Sequence, residues 1–565
     1  MNTMSPNNQQ NIAAYLTHMA KMEPMRMAVA YPVRALGDGK AEYNELTFQR
    51  LDEWSTQVAR GMLAAGLKPG TRVALLLPPS ASFFCVAFAL MKAGAVMVCV
   101  DPGIGVKQMG RCLNETGPEV IIGIRKAHIA CRLFGWGRKT CRISVHVNHQ
   151  PLRWWPRRTR AVTLEDLARS GLHCDAPALA TVAGSDRAAI LFTSGSTGPP
   201  KGVVYTHYLF QHQLQMLKQT YHIEPGEVDL CTFPLFALFA PGLGMSSVVP
   251  DMDFTRPAMV TPTHVIQPIE RFQVTNMFGS PALLNRVGRW LQQHPTTLPS
   301  LRRIISAGAP VQASIMHRLT SMLCGDASIH TPYGATEAMP VATINSREIL
   351  NETAEQTNQG KGVCIGRPVE GVTAKILPIM DCPVTIEDDG DVPWLPTDEY
   401  GEIAVSGPNV TELYDRQEEA TRWAKFRDGD GHLYHRMGDI GYFDDVGRLW
   451  FCGRMSHRVV ADDQVFYSVC CEGIFNPHPK VYRTALVRLT SSGITVPGLC
   501  VEMEPGTPKT QYGSIHRELL EIGGQFEHTC AIQKIFFHPG FPVDTRHNAK
   551  INRDALGAWA MRQRS

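Results

Sequence analysis

The sequence predicts an α/β protein, with a large N-terminal region of α/β subdomains and a smaller α+β unit after it. Its 565 residues exceed what one hydrophobic core organises, and a prior of roughly 150 residues per domain brackets the chain at two to four units. Short apolar runs at 188–192, 303–306 and 328–331 each end in a loop of small or turn-forming residues. Such runs are typical of strands in a mainly parallel sheet, whose ligands bind at the carboxyl ends of the strands.

The most apolar segment, 73–100, is predicted to fold inside the protein rather than to cross a membrane. Pro78 and Pro79 split it near its start, and Lys92 and Gly94 interrupt it near its end. The segment therefore predicts a strand–helix–strand unit, with strands at 72–77 and 95–100 around a helix over 81–92.

The C-terminal part changes character after an acidic, proline-containing stretch at 379–402. Short alternating strands follow, and Asp444-Asp445-Val446-Gly447 predicts the turn of a hairpin. This spacing suits a turn, so we expect no catalytic role for Asp444 or Asp445. A smaller α+β module is therefore expected to close the chain.

Composition excludes several classes of protein. Hydrophobic residues make up 44% and charged residues 19% of the chain, which excludes collagen, coiled coil and wholesale disorder. The 55 Lys and Arg against 52 Asp and Glu leave a formal charge of +3, too little to indicate nucleic acid as the main partner. The 15 cysteines lack Cys-x-x-Cys pairs, and residues 1–10 lack the apolar core of a secretory signal. We expect a cytoplasmic protein with reduced thiols.

A loop rich in glycine and hydroxyl residues follows the predicted strand at 188–192. It consists of Thr193-Ser194-Gly195-Ser196-Thr197-Gly198-Pro199-Pro200-Lys201. Its backbone and hydroxyl donors, with the closing lysine, predict a phosphate-binding loop. A Walker A loop needs Lys followed by Ser or Thr, whereas Gly202 follows Lys201, so the kinase or GTPase interpretation fails.

Together with this loop, five further motifs resemble those of the adenylate-forming superfamily of acyl-CoA synthetases, nonribosomal peptide adenylation domains and firefly luciferase. The resemblance extends over nearly the whole chain. The motifs are Ser306-Ala307-Gly308-Ala309-Pro310, Tyr333-Gly334-Ala335-Thr336-Glu337, Met437-Gly438-Asp439, Gly453-Arg454, and the segment 542–551 that contains Lys550.

The resemblance implies ATP and Mg²⁺ as cofactors and a role for each motif. Tyr333 would stack on adenine, Glu337 would hold Mg²⁺, and Asp439 would accept from the ribose hydroxyls. The implied catalytic residues are Lys201, Thr336, Glu337 and Lys550. The implied ATP-binding residues are Thr193, Ser194, Gly195, Ser196, Thr197, Gly198, Gly308, Ala309, Pro310, Tyr333, Gly334, Asp439 and Arg454.

The resemblance also implies a reaction and a division of the chain. A carboxylate oxygen of the substrate attacks the α-phosphate of ATP and expels pyrophosphate, helped mainly by positioning and by neutralisation of charge. The implied division is an adenylate-forming domain over 1–453, a hinge at 454–456 and a mobile C-terminal domain over 457–565.

Departures from the acyl-CoA ligase pattern bear on the acceptor of the acyl group. Val460 and Asp463 stand where that family usually has the Lys and Gly that admit the pantetheine arm, so a side chain and a charge are expected on the path of the thiol. Residues 250–257 and the Arg-His-Asn-Ala-Lys sequence at 546–550 look most like the β-lactone synthetases of bacterial long-chain olefin biosynthesis. In that branch the 3-hydroxyl of an adenylated 2-alkyl-3-hydroxy fatty acid displaces AMP to give a β-lactone. A long-chain fatty acyl-CoA synthetase or acyl-AMP ligase is the alternative activity, and a silent nucleotide- or acyl-binding protein is the alternative class.

The apolar region 233–249 is predicted to hold the alkyl chain, with ordinary core packing as the alternative. Phe236 and Phe239 are candidate lining residues, and Gly242 and Gly244 would thin the wall. His207 is a candidate substrate contact, with a structural hydrogen bond as its alternative role.

The segment 121–164 contains no Asp or Glu and interleaves cations with aromatic residues. Its cations are Arg125, Lys126, Arg132, Arg138, Lys139, Arg142, Arg153, Arg157, Arg158 and Arg160, and its large aromatics are Phe134, Trp136, Trp154 and Trp155. This pattern suits an anionic membrane, a nucleic acid or an acidic protein. The alternative is a solvated face with a few of the aromatic side chains tucked into the domain. With a water-insoluble substrate we expect peripheral membrane contact through 125–160, or contact with other enzymes of the olefin pathway. No nucleic acid is expected.

Overall fold

The computed structural model describes eight stretches of the chain: residues 11–37, 40–150, 159–173, 175–193, 199–384, 392–491, 493–543 and 550–563. They form the predicted α/β fold, in which parallel sheets are followed by antiparallel ones. The α-helices are Ala14–Met22, Phe48–Ala64, Ala81–Lys92, Val106–Thr116, Arg125–Phe134, Leu164–Gly171, His207–Tyr221, Pro234–Ala237, Thr263–Phe272, Pro281–Leu291, Ala313–Thr320, Ser346–Glu348, Ala354–Asn358, Glu418–Ala424, Ser468–Phe475, Tyr512–Gly524 and Arg553–Ala560.

Two seven-stranded sheets, each mainly parallel, organise the chain up to residue 330. Sheet 1 has the strand order Arg160–Thr163, Ile143–His146, Val120–Gly123, Arg72–Leu76, Val96–Cys99, Arg187–Thr193, Lys201–Thr206. Sheet 2 has the order Ser328–His330, Arg303–Ile305, Asn276–Phe278, Val228–Leu230, Ser246–Val248, Met27–Gly37, Lys40–Thr47. The last pair of each sheet is antiparallel and the other pairs are parallel. The predicted parallel architecture is confirmed.

The predicted strand–helix–strand unit lies at the centre of sheet 1. Arg72–Leu76 and Val96–Cys99 are parallel neighbours, and the helix Ala81–Lys92 connects them. Ser80 caps this helix by accepting a hydrogen bond from the N–H of Phe83. Every residue of the helix is buried, which explains an apolar composition close to that of a membrane span.

An antiparallel sheet, sheet 3, follows sheet 2. The sequence patterns placed the short alternating strands only after the stretch 379–402, whereas this sheet begins at Tyr333. Its strand order is Tyr333–Ala335, Ala338–Thr343, Val363–Pro368, Leu449–Arg454, Leu433–Phe443, Gly401–Ser406, Thr373–Leu377, and Lys425–Arg427 pairs with Leu433–Phe443. The predicted hairpin is confirmed, since Leu433–Phe443 and Leu449–Arg454 pair around the turn at Asp444.

The C-terminal segment has two small sheets and its own apolar cluster. One sheet pairs Val459–Ala461 with Gln464–Phe466, and the other has the order Val481–Ser491, Ile494–Met503, Lys534–Phe537. Side chains of the cluster, such as Phe475, Leu499 and Leu519, come from residues 459–537. The division at 453 and the mobility of the hinge stay predictions.

Helix Ser468–Phe475 packs the C-terminal segment against sheet 3. Its Cys470 belongs to the same apolar cluster as Trp450 of sheet 3. Gly473 faces the backbone of Thr357 so closely that a Cβ there would lie 2.4 Å from the Thr357 carbonyl oxygen. The contact therefore requires glycine. Across the described ranges, none of the helices combines the length and the apolar character needed to cross a membrane.

We predict that Gly473→Ala loosens this contact. Overpacking costs typically about 1–3 kcal/mol, because the backbone of Thr357 cannot move aside as a flexible side chain can. Thermal unfolding should begin at a lower temperature, and trypsin should cleave at Arg454 or Arg458 faster. Gly513→Ala is the matched control, because a Cβ at Gly513 meets no atom within 4 Å. Equal cleavage rates for the two variants would contradict the prediction.

Candidate active site

A large cavity of about 2210 Å³ lies at the carboxyl ends of the sheet 2 strands. Thr232, Phe278, Ser306 and Thr331, which end or closely follow four of these strands, line it. Sheet 3 and the C-terminal segment supply further walls. The cavity therefore lies where ligands bind in parallel α/β proteins.

The cavity brings together most of the predicted site residues. Its lining includes Lys201, Gly308, Ala309, Pro310, Tyr333, Gly334, Thr336, Glu337, Asp439, Arg454 and Lys550, with Phe236, Phe239 and Gly242 of the predicted alkyl site. Residues 194–198 and the side chain of Thr193 lie outside the described residues. Pro199 and Lys201, on the far side of that loop, both line the cavity.

Two predicted residues within the described ranges are not part of this lining. His207 is fully buried, and its Nδ1 accepts a hydrogen bond from the N–H of Ile12 at 3.3 Å. Burial lowers the pKa of His207 to about 4. Gly244 has a φ of +73° and turns the chain against Pro225. These positions favour structural roles over contact with a substrate.

Glu337 is a buried carboxylate held at the cavity wall. The hydroxyl of Tyr414 donates to its Oε1 at 2.7 Å. Its backbone oxygen accepts from the N–H and the hydroxyl of Thr411, at 2.9 and 3.1 Å. Mg²⁺ is usually bound by one or two carboxylates plus substrate phosphates. A fixed carboxylate in a cavity with room for a nucleotide therefore fits this ion.

Two lysine side chains lie near the ring of Tyr414. Lys201 Nζ lies 4.8 Å and Lys425 Nζ 6.0 Å from the centre of the Tyr414 ring. Burial lowers the pKa of Lys425 to about 8, and the charges of Glu337 and Glu412 oppose this shift. Lys425 Nζ donates to the hydroxyl of the buried Thr411 at 3.2 Å. Positive charge fixed here would stabilise phosphate oxygens.

His435 lies beside Lys425 and also lines the cavity. Its Nδ1 is 3.1 Å from the carbonyl oxygen of Ala424 and 3.5 Å from Lys425 Nζ. Burial, and then the charge of Lys425, hold the pKa of His435 well below its usual value. The imidazole is therefore neutral at neutral pH.

Asp439 is a second buried carboxylate in the cavity wall. The hydroxyl of Tyr333 donates to its Oδ2 at 2.6 Å. Arg454 Nε lies 3.1 Å from its Oδ1, yet without hydrogen-bond geometry, so this buried oxygen has an ion-pair partner and no hydrogen bond within the described residues. Burial raises the pKa of Asp439 and the charge of Arg454 opposes the rise. An acceptor in this state suits a ligand hydroxyl.

A buried ion pair fixes the strand that carries Asp439. Arg436 donates to Glu402 at 2.6 Å, and its guanidinium also donates to the carbonyl oxygens of Met380 and Cys382 at 2.8 and 2.6 Å. Glu402 in turn accepts from the N–H of Gly438, whose φ of +66° favours glycine. The turn before Asp439 is therefore fixed by hydrogen bonds on both sides.

Lys550 lies at the cavity from the side of the C-terminal segment. Its side chain is exposed. Its positive charge, like that of Arg454, opposes the rise in the pKa of Asp439 that burial causes. The structure thus places the predicted catalytic lysine near the predicted ribose ligand. The residues just before it, 544–549, lie outside the described part of the chain.

The predicted alkyl site forms an aromatic wall of the cavity. The rings of Phe236 and Phe278 stack with centroids 4.9 Å apart, and Phe233 lies 5.1 Å from Phe236. From the segment 250–257, Met252 and Phe254 also line the cavity. The segment that suggested the β-lactone branch therefore faces the same space as the aromatic wall.

The cavity also extends along sheet 1. Ala127 and Ala130 of helix Arg125–Phe134 line it, as does Trp136. Trp136 is only 6% exposed and packs over Gly110, so this aromatic side chain is tucked into the domain, as the alternative interpretation of the basic segment expects. The volume exceeds the roughly 300–1,000 Å³ of a common ligand pocket, which leaves room for a nucleotide and a long chain.

Val460 and Asp463 lie on an exposed hairpin. Val460 is 46% exposed, and neither residue is part of the cavity lining. The expectation that their side chains stand on a path to the cavity gains no support from this arrangement.

The sequence motifs did not include Tyr414 and His435, which line the cavity, or Lys425, which lies beside them. They come from different strands or loops and meet only through the pairing of Lys425–Arg427 with Leu433–Phe443 and through the contact of Tyr414 with Glu337. No local signal marked Lys425, which stands between Arg422 and Arg427 in a charged stretch that is typical of an exposed face.

Comparisons with known proteins show the family of the chain. The family model of AMP-binding enzymes matches residues 16–415. Among curated proteins, the olefin beta-lactone synthetase of Xanthomonas campestris pv. campestris is 43% identical over 559 residues, which cover 98% of each chain. The predicted closeness to β-lactone synthetases is confirmed.

Solved structures show the same fold. The amide bond synthetase McbA from Marinactinospora thermotolerans matches with a TM-score of 0.76 at 20% identity, over 97% of this chain and 99% of that one. The O-succinylbenzoate coenzyme A synthetase of Bacillus subtilis, in complex with ATP and magnesium ion, matches with a TM-score of 0.71 at 20% identity, over 96% and 98%. With a family match over most of its length and a relative this similar, the chain belongs to the AMP-binding enzyme family, the adenylate-forming superfamily that its motifs predicted.

Proposed function

We propose that this enzyme activates a long-chain 2-alkyl-3-hydroxy fatty acid with ATP and closes the acyl adenylate to a β-lactone. The observation that carries the proposal is one cavity in which Asp439, Glu337 and Lys550 share the lining with a phenylalanine wall. The likeness to an olefin beta-lactone synthetase over nearly the whole chain supports the choice of product.

The nucleotide would lie between sheet 3 and the loop after Arg303–Ile305. Asp439 Oδ1 would accept from a ribose hydroxyl, which would satisfy a buried oxygen that receives no hydrogen bond from the described residues. The adenine would lie against Tyr333 and the loop 306–310, where Gly308 has a φ of +95°. A flat ring and a close backbone approach suit a purine.

In the first step a carboxylate oxygen of the substrate attacks the α-phosphorus. An oxygen–phosphorus bond forms, the bond between the α-phosphorus and the bridging oxygen breaks, and pyrophosphate leaves. Lys550 would neutralise the two anions as they meet, and Lys201 and Thr336 would bind the phosphates. Fixed cations stabilise charge that spreads over both groups in the transition state.

Glu337 would hold Mg²⁺, with Tyr414 fixing the orientation of its carboxylate. When bound, the ion neutralises phosphate charge. Buried Lys425 adds fixed positive charge behind the same wall.

In the second step the 3-hydroxyl oxygen of the substrate attacks the acyl carbon. A ring carbon–oxygen bond forms, the bond between the acyl carbon and the phosphate oxygen breaks, AMP leaves, and the hydroxyl proton is released to solvent. No external nucleophile is needed. Holding the hydroxyl beside the carbonyl compensates for ring strain, because intramolecular attack can reach an effective molarity of roughly 10⁵ M or more.

The alternative function is that of a long-chain fatty acyl-CoA synthetase or acyl-AMP ligase. Products formed from ATP, Mg²⁺ and a long-chain 2-alkyl-3-hydroxy acid, with and without coenzyme A, separate the two. A product at the substrate mass less one water, formed without coenzyme A, supports the lactone. A coenzyme A thioester as the main product overturns it, and the same acid without the 3-hydroxyl group is the matched control substrate.

We predict that Lys550→Ala lowers the rate of pyrophosphate release about a hundredfold while ATP affinity stays nearly unchanged. The lost charge acts mainly on the transition state, and removal of one such contact costs roughly 3 kcal/mol. Lys534→Ala, at an exposed position outside the cavity lining, is the control. A rate for Lys550→Ala within a factor of two of the wild-type rate would show that the assignment is wrong.

We predict that Tyr414→Phe raises the Mg²⁺ concentration needed for half-maximal adenylation about tenfold. The hydroxyl of Tyr414 orients Glu337, and a hydrogen bond to a charged group contributes about 1.5–3 kcal/mol. The control is Tyr434→Phe, which removes the hydroxyl of a buried tyrosine in strand Leu433–Phe443 that does not line the cavity. This variant should leave the Mg²⁺ dependence unchanged. The prediction fails if the two variants share one Mg²⁺ curve.

The described part of the basic segment suits peripheral contact with an anionic membrane. Leu133 and Phe134 are 73% and 55% exposed at the end of helix Arg125–Phe134, whose Ala127 and Ala130 line the cavity. The exposed cations around them include Arg125, Lys126, Arg132, Arg138 and Lys139. Exposed apolar side chains beside cations are typical of a membrane-surface contact, and here one helix faces both the surface and the cavity.

We predict that the protein co-sediments with phosphatidylglycerol-containing vesicles more than with neutral ones, and less as salt rises, because exposed charges are screened over about 10 Å at 0.1 M. Leu133→Ser with Phe134→Ser should lower the bound fraction several-fold. Val33→Ser with Leu36→Ser, at another exposed apolar pair, is the control. Equal binding to neutral vesicles, or equal loss in both double variants, would exclude this surface.

A further inference from the structure

Three histidines meet at the carboxyl edge of sheet 1, beside the helix that walls the cavity. His128 lies on helix Arg125–Phe134, His146 ends strand Ile143–His146, and His149 follows three residues later. The strand pairs in parallel with Val120–Gly123, with Gly123 opposite His146, and the helix begins just after that neighbouring strand. The local topology therefore brings the three imidazoles to one point.

The imidazoles are close enough to share a ligand. One ring nitrogen from each histidine lies within 4.8 Å of the other two. The ring centroids of His128 and His146 are 4.0 Å apart, and that of His149 lies 4.8 Å from His146 and 5.6 Å from His128. His128 and His146 are fully buried. The cluster is thus part of the interior and not a chance group on the surface.

Backbone carbonyls fix the state of two of the rings. His128 Nε2 lies 3.0 Å from the carbonyl oxygen of Val145, and His149 Nδ1 lies 2.8 Å from that of Gln150. A carbonyl oxygen only accepts, so both nitrogens carry a proton and donate it. In the neutral imidazoles, Nδ1 of His128 and Nε2 of His149 then carry lone pairs. Donation of the second ring nitrogen to a carbonyl is the usual arrangement behind a metal-bound histidine.

One ring nitrogen of the cluster is buried without a hydrogen-bond partner in the described part of the chain. This nitrogen is His149 Nε2. The hydroxyl of Ser144 lies 3.3 Å from His128 Nδ1 and 3.0 Å from His146 Nε2, and it can donate to one of these rings and accept from the other. A buried lone pair such as that of His149 Nε2 is costly unless a donor or a cation satisfies it.

We propose that His128, His146 and His149 form a binding site for a divalent transition-metal ion, with Zn²⁺ as the first candidate. Three neutral nitrogens suit Zn²⁺, Co²⁺, Ni²⁺ or Cu²⁺, whereas Mg²⁺ and Ca²⁺ prefer oxygen. Zinc–nitrogen bonds of about 2.0–2.1 Å place tetrahedral ligand atoms roughly 3.3 Å apart, so the cluster contracts on binding. His149, on a loop after the strand, is the ligand free to move inward.

Such an ion would join helix Arg125–Phe134 to the edge of sheet 1. It would fix the helix whose Ala127 and Ala130 line the cavity, and it would be separate from the Mg²⁺ site proposed at Glu337. An ion that binds only the folded state stabilises that state, and the stabilisation grows with the logarithm of the ratio of free ion concentration to Kd. The site should therefore raise thermal stability whether or not nucleotide or substrate is present.

The test uses the full-length protein without a purification tag, stripped with a chelator and then titrated with Co²⁺. We expect one Co²⁺ per chain, with a visible absorption band that Zn²⁺ abolishes and that excess Mg²⁺ leaves in place. We also expect Zn²⁺ to raise the unfolding temperature. The proposal is overturned if no such band forms, if Mg²⁺ removes it, or if Zn²⁺ leaves the unfolding temperature unchanged.

Substitutions test whether the histidine cluster is the site that binds the ion. His149→Gln removes a loop ligand and leaves the buried pair in place, and it should weaken Co²⁺ binding at least tenfold. His294→Gln, at an exposed histidine near sheet 2, should bind like the wild type. Glu337→Gln should also retain the Co²⁺ band. If His149→Gln binds as tightly as His294→Gln, or if Glu337→Gln loses the band, the cluster is not the site.

Discussion

Two carboxylates, Glu337 and Asp439, are buried in the wall of one cavity, and the surrounding structure is arranged around the cost of burying them. A carboxylate removed from water needs hydrogen bonds and opposite charge, or its charged form becomes unstable. Tyr414 supplies the hydrogen bond to Glu337, while Tyr333 and Arg454 serve Asp439. These partners fix where the acids lie, and so fix where a cation and a ribose would bind.

The fold meets this constraint by joining two kinds of sheet. Parallel strands end at the cavity in loops of small and hydroxyl residues, which leave space for a ligand. The antiparallel sheet brings distant segments side by side, so that the buried Glu402–Arg436 pair holds the turn before Asp439. Lys550 then reaches the same wall from the C-terminal segment. The aromatic wall adds an apolar surface to the cavity, where we propose that the chain of the substrate lies.

The parallel sheets and the buried helix Ala81–Lys92 could be predicted from the sequence, and the main motifs could be recognised in it. Each of these features depends on residues that are neighbours in the chain. The sequence did not predict where sheet 3 begins, since Tyr333–Ala335 and Ala338–Thr343 are short and carry motif residues instead of an alternating pattern. Tyr414, Lys425 and the cluster of His128 with His146 escaped for a different reason. Their partners are distant in sequence, and only strand register brings them together. The composition of the basic segment left open whether its aromatic side chains are exposed or buried, and close packing over Gly110 puts Trp136 inside.

The proposed reaction requires that the carboxylate of the substrate, and not its hydroxyl, is activated in this cavity. A 2-alkyl-3-hydroxy acid carrying ¹⁸O in both carboxylate oxygens tests this most directly, with mass spectra recorded for AMP and for the lactone. Attack by the carboxylate on the α-phosphorus leaves one label in AMP and one in the lactone carbonyl. Unlabelled AMP together with a doubly labelled lactone would mean that the hydroxyl had been activated and then displaced, and would contradict the account.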